Sequence, residues 1–295
     1  MNWVPLFFID AVCHELRRSV LVKLTQLSGN WSKFGSQHHE KRREFKFTCK
    51  VERQSVSYSI EDRKNWTVTG VLVADLDLQF DRITSVTCDS RKPRRNRVTL
   101  DELERDVIPT VASLVANCTW GFLHPMRCYQ NHIFFNAFKN CSGFNEIKVQ
   151  EQGQESRDFV TRQVALGNVQ WLHLQDRTPI PWPEPEKLAE TLRTFVSSPR
   201  FRQLSFRDGS LLNDAELAML FLERGLAGEL NAGAFLWIEN ATFDRNWLLS
   251  LHEECRDFSE VFEWRIPHST LRIKLQNVDG RLLKLMLKNG ASADP

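Results

Sequence analysis

Three stretches decide the fold: VQWLHLQDR (169–177), FRQLSFRDG (201–209) and AFLWIENAT (234–242). They superimpose. Leu172, Leu204 and Leu236 stand thirty-two positions apart, as do Leu174, Phe206 and Ile238, and as do Asp176, Asp208 and Asn240. A looser unit, FNEIKVQEQ (144–152), precedes them at a spacing of 25, and VFEWRI (261–266) follows at 28. Each unit alternates like a strand, and helical stretches fill the intervals at 154–165, 184–197, 213–224 and 244–256. Pro181, Pro183 and Pro185 prepare the second helix start, and Asn213 caps the third. A strand–helix unit of about 30 residues cannot bury its faces alone, so it stacks on its neighbours.

The surviving pattern, apolar-x-x-Leu-x-apolar-x-Asp/Asn, resembles a degenerate leucine-rich repeat. The resemblance implies an α/β solenoid with parallel strands. A doubly wound α/β fold is the alternative, although no Gly-rich phosphate loop follows any of the strands. Side chains alternate along a strand. With the leucine rows facing the core, three outward rows cross the strands: Trp171, Gln203 and Phe235; His173, Ser205 and Trp237; Gln175, Arg207 and Glu239. Large aromatics there mark a candidate target-binding face, with Trp171, His173, Gln203, Arg207, Phe235 and Trp237 as its expected contacts.

Beyond the repeats, TLRIKLQNVDGRLLKLML (270–287) reads as a β-hairpin turning at Asp279-Gly280, placed to cap the solenoid's open end. Upstream, Thr99-Leu100-Asp101-Glu102 is a capping box opening a helix to about Ala116. Residues 44–88 show alternation and β-branched residues and predict a small antiparallel sheet or meander. The resulting partition is a helical module (1–40), a β segment (41–98) and a repeat region (99–295) with the hairpin inside it. The fold class is α+β or α/β.

The chain begins MNWVPLFFIDAVCHELRRSVLVKLTQLSGNW. Asp10 interrupts the apolar run and nothing basic precedes it, so a secretory signal does not fit. No stretch supplies the roughly 20 apolar residues of a membrane span. Read as helices, Phe8, Ile9, Val12, Cys13 and Leu16 share one face, then Val20, Leu21, Leu24 and Leu27 form another. Val4-Pro5, this helical spacing and Leu27-Ser28-Gly29-Asn30-Trp31 together resemble the F-box. That family opens Leu-Pro and ends in Val/Leu-Ser-x-x-Trp. Two positions depart from it: Leu6-Phe7 replaces the acidic residue after the proline, and Arg18-Ser19 replaces an Asp-like cap. With the repeats and the Asp-Gly hairpin, the chain resembles the nematode F-box and F-box-associated proteins.

The resemblance implies docking on a Skp-type adaptor, and through it a cullin, by Pro5, Phe8, Ile9, Val12, Leu16, Leu21, Leu24, Leu27 and Trp31. It also implies a substrate-recognition role in a ubiquitin ligase, with an unknown protein as target. The competing reading is an intracellular repeat scaffold whose first helices only cap the solenoid.

Bulk properties agree with either. Net charge is +2 over 295 residues, too little to imply a nucleic-acid binder. The basic run RKPRRNR (91–97) reads as a solvated loop. Seven cysteines without CxxC spacing read as reduced thiols of an intracellular protein, which leaves the sequons at Asn30, Asn65, Asn117, Asn140 and Asn240 unmodified. Eight histidines include no HExxH, and no nucleophile elbow occurs, so the expectation is no catalytic residue, cofactor or metal. The expected location is cytoplasmic or nuclear, with no membrane contact.

Overall fold

The computed structural model describes residues 4–51, 56–63, 71–89, 96–123, 131–150, 153–175, 185–206, 214–239, 247, 256–258, 261–266, 269–276 and 282–289. The fold is mixed α/β with both parallel and antiparallel strand pairs, and the chain divides into two compact units at Asn145/Glu146.

The first unit begins with three short helices, α1 (Leu6–Glu15), α2 (Arg18–Thr25) and α3 (Asn30–Lys41). Pro5 precedes α1, where a missing N–H costs nothing. Gly29, at φ 72, makes the left-handed step into α3 that a side chain would resist. Ile9, Cys13 and Leu21 form a small core, with Val4, Leu16, Leu24, Trp31 and Phe34 packed around it.

A sheet follows: β1 (Glu44–Val51), β2 (Val56–Asp62), β3 (Arg82–Asp89), β4 (Asn96–Val98) and β5 (Val115–Leu123), in the order β5-β3-β1-β2-β4. β2 pairs antiparallel with β1 and β4, but β3 pairs parallel with both β1 and β5. The predicted antiparallel meander over 44–88 is therefore corrected. Residues 71–81 make no strand. Asp77 accepts hydrogen bonds from the amides of Gln79 (2.8 Å) and Phe80 (3.3 Å), and its own amide donates to Asp81 (2.7 Å). Carboxylates bonding to nearby amides compete with a β ladder. The WTVTG part of that expectation lies outside the described residues.

Thr99 caps α4 (Leu100–Glu102) with the reciprocal bonds of a capping box: its hydroxyl accepts from the Glu102 amide, and the Glu102 carboxylate accepts from the Thr99 amide. A wide π turn (Leu103–Val107) leads into α5 (Ile108–Ser113). Pro109 lacks an N–H and crowds the carbonyl of Arg105, which lies in that wide turn. The helix ends at Ser113 rather than Ala116, because Val115 already belongs to β5. Helix α6 (Asn131–Phe138) buries Phe134, Phe135 and Phe138, with Phe144 at 6.1 Å from Phe138.

In the second unit, β6 (Phe144–Gln150), which starts just before the boundary, leads to α7 (Gln154–Ala165), β7 (Trp171–Gln175), α8 (Pro185–Ser197), β8 (Gln203–Phe206), α9 (Asp214–Leu226) and β9 (Phe235–Glu239). β6 to β9 are parallel and in register: Ile147, Leu172, Leu204 and Leu236 form one row, and Val149, Leu174, Phe206 and Ile238 the next. All eight are buried. Polar bonds repeat with the same period. The Asn231 side chain donates to the Pro199 and Phe201 carbonyls at 2.9 Å, and Arg200 donates to Asn168. Arg224 reaches back across α8 to the Val196 and Ser198 carbonyls.

The unit then changes direction. β10 (Arg256–Phe258), β11 (Val261–Ile266), β12 (Ser269–Gln276) and β13 (Leu282–Asn289) are joined antiparallel, and β13 lies antiparallel on β9. The hairpin over 270–287 is present, its turn lying outside the described residues. VFEWRI is not a further parallel unit, which corrects the sequence expectation. Only two residues separate β11 from β12, and a parallel crossover needs a dozen or more. The helix expected at 244–256 lies outside the described residues except for helical Trp247 and for Arg256, which opens β10.

Candidate functional site

The nine residues expected to meet an adaptor separate into three groups. Ile9 and Leu21 are 0% exposed and hold the helical module together, so they cannot be a docking face. Val12 is half-buried, and Leu16, Leu24 and Trp31 are likewise half-buried, the last three packed around that core. Pro5, Phe8 and Leu27 are exposed. The correction has a simple cause: helical spacing finds an apolar face, and in a three-helix module that face turns inward.

What remains outside was only partly anticipated. Leu6, Phe7, Phe8, Val22 and Leu27 are exposed, Phe7 at 78%. Among the described residues only Leu72 and Leu78 join them as exposed large apolar side chains. A substantial exposed apolar surface marks a partner site more often than a single scattered residue does.

A polar cluster holds the module to the sheet. The Arg42 guanidinium is buried and donates to the carbonyls of Cys13 (2.7 Å), His14 (3.2 Å) and Leu16 at the C-terminal end of α1. Arg82, at the start of β3, donates to the His14 carbonyl at 2.9 Å. Two guanidiniums thus cap the negative end of one helix. His38 bridges Asp10 (2.7 Å) and Arg42 (3.3 Å). A guanidinium only donates, so Nδ1 of His38 accepts and Nε2–H donates to Asp10. Burial pushes the His14 imidazole down to about 4, helped by Arg82 and Arg42. Burial also lowers His38 against the pull of Asp10, and draws Arg82 down to about 10, still charged at neutral pH.

On the second unit, the register sets Trp171 opposite Gln203 and Phe235, and His173 opposite Ser205 and Trp237. All six are half-buried, so this face is neither open nor sealed. His173 shares a hydrogen bond with Ser205 at 2.7 Å and lies 3.8 Å from Glu146, which pairs with Lys148 at 2.6 Å. Burial, then Lys148, lowers His173, so the imidazole is neutral near pH 7. Phe235 and Trp237 meet edge to face at 6.0 Å. Arg207 and its row lie outside the described residues or at strand ends whose side chains are not described.

No group of three or more His, Cys, Asp or Glu side chains that could hold a metal occurs among the described residues. No described helix is long and apolar enough to cross a membrane. Comparison with models of known protein families gives no match, and comparison with curated proteins gives none either.

Proposed function

We propose that the chain is a substrate-recognition subunit of a cullin-type ubiquitin ligase. The helical module docks on a Skp-type adaptor, and the second unit's strand–helix units, read as a degenerate leucine-rich-repeat solenoid, capture the target. The observation that carries this reading is the exposure of Leu6, Phe7, Phe8, Val22 and Leu27 on a module whose own core is already complete. The docking contacts are Leu6, Phe7, Phe8, Val22 and Leu27, with Pro5 at the rim. The outward row through Trp171, Gln203 and Phe235, and that through His173 and Trp237, supply the target face. The work is done in the cytoplasm or nucleus.

The test is co-purification with a Skp-type adaptor. Phe7→Asp with Phe8→Asp leaves the module core untouched. Full burial of one such side chain is worth about 1.5–3 kcal/mol, so losing two lowers affinity by at least about a hundredfold. Adaptor capture by the double variant equal to wild type would refute the reading, and the repeat-scaffold alternative would then stand.

A further inference from the structure

Among the described residues, the module's apolar core is Ile9, Cys13 and Leu21 with half-buried neighbours from the module itself. What ties it to the sheet is the polar cluster around Arg42 and Arg82, together with Phe80, which takes the edge of His38 at 5.2 Å and the Lys41 ammonium at 4.9 Å. Each of the two guanidiniums acts beside a histidine. We propose that this cluster is an acid-released latch: at neutral pH it fixes α1 and α2 against the start of β3, and protonation of His14 and His38 frees them while the sheet stays folded.

The titratable and charged groups that face the latch come from every element around it: Asp10, Cys13, His14 and Glu15 on α1, Arg18 on α2, His38 and Lys41 on α3, Arg42 just beyond it, Glu44 on β1, Asp81 before β3, and Arg82. Asp81 is already engaged by Arg43 at 2.6 and 2.8 Å and by the Asp77 amide. Asp10 is the carboxylate bonded to His38. A proton on His38 converts Nδ1 from an acceptor for Arg42 into a second donor aimed at it. A proton on His14 adds a cation beside Arg82 and Arg42. Both histidines are held neutral in the folded protein by burial and by these arginines.

The sign follows. A base whose folded pKa lies below its unfolded value contributes stability fully above about pH 6.5, and loses it as pH falls toward about 4. At pH 5, His14 alone shifts the opening equilibrium by at most about thirtyfold, less as solvent screens its half-buried ring.

Hydrogen exchange of the full chain at pH 7 and pH 5, corrected for the intrinsic rate, reads this directly. The expected result is a fall of tenfold or more in protection of residues 6–25, with residues 44–51 and 82–89 unchanged. In His14→Asn the fall is reduced by the His14 share, and in His14→Asn with His38→Gln it is absent. The single variant, at a half-buried position, serves if the double variant does not fold. Wild-type protection that persists at pH 5 would overturn the latch. So would simultaneous loss from helices and sheet, or a His14→Asn protein that responds to acid as strongly as wild type.

Discussion

Leu204 and Ser205 are neighbours on β8 whose side chains point to opposite faces, so truncating each to alanine asks which face is the core. Leu204 is fully buried between Leu172 and Leu236 in register. Removing its branched end loses the transfer free energy and leaves a cavity, about 3 kcal/mol for such a site. For a unit of about 150 residues, that corresponds to a fall in Tm of about 6–12 °C. Ser205→Ala removes one hydrogen bond, the 2.7 Å contact with His173, at a half-exposed position. The expected cost is about 1 kcal/mol or less, a shift of at most about 4 °C. Urea unfolding followed by tryptophan fluorescence, with calorimetry alongside, measures both. A Ser205→Ala loss equal to that of Leu204→Ala would refute the assignment of faces. A Leu204→Ala loss below about 1 kcal/mol would refute the leucine rows as the source of stability.

Gly143 has no room for a side chain, since a methyl there would overlap the Val115 carbonyl and side chain; Gly143→Ala should lower stability by about 2–3 kcal/mol in a melting experiment. Thr99→Ala removes the cap of α4, for about 1 kcal/mol and faster exchange at 100–102. Asp81→Asn weakens the charge-assisted pair between the buried Asp81 carboxylate and the exposed Arg43, whose own guanidinium that bond holds above its usual range, and should cost about 1–3 kcal/mol by urea titration. Cys13 and Cys118 are buried free thiols pushed upward, chiefly by burial. They should resist iodoacetamide at pH 7.5 until the chain is denatured, and labelling in the native protein would contradict their burial.

The repeats were legible because their code is local. Leu172, Leu204 and Leu236 share one spacing, and strand alternation converts spacing into register without further information. The capping box at Thr99 and the first two short helices were equally local. The sheet of the first unit was not. Whether β3 lies parallel or antiparallel to β1 depends on the path of residues 63–81, and there Asp75, Asp77 and Asp81 bind nearby amides while the alternating VLVADLDLQF imitates a strand. Likewise, periodicity put Ile9 and Leu21 on an apolar face but could not say whether a partner or the chain itself covers it. The latch was invisible for a different reason. Nothing local to Arg42 or Arg82 marks their role, and only tertiary structure brings them to the end of α1.

The antiparallel seat of β13 on β9 has an evolutionary corollary. A strand–helix unit copied after β9 would need a free parallel edge to pair with, and β13 occupies it in the opposite direction. Lengthening by duplication is therefore confined to the interior, between β6 and β9, where each new unit finds a parallel neighbour on both sides. Chains descended from a common ancestor with this one should differ in length there by whole units of about 32 residues, with the β9–β13 junction kept intact.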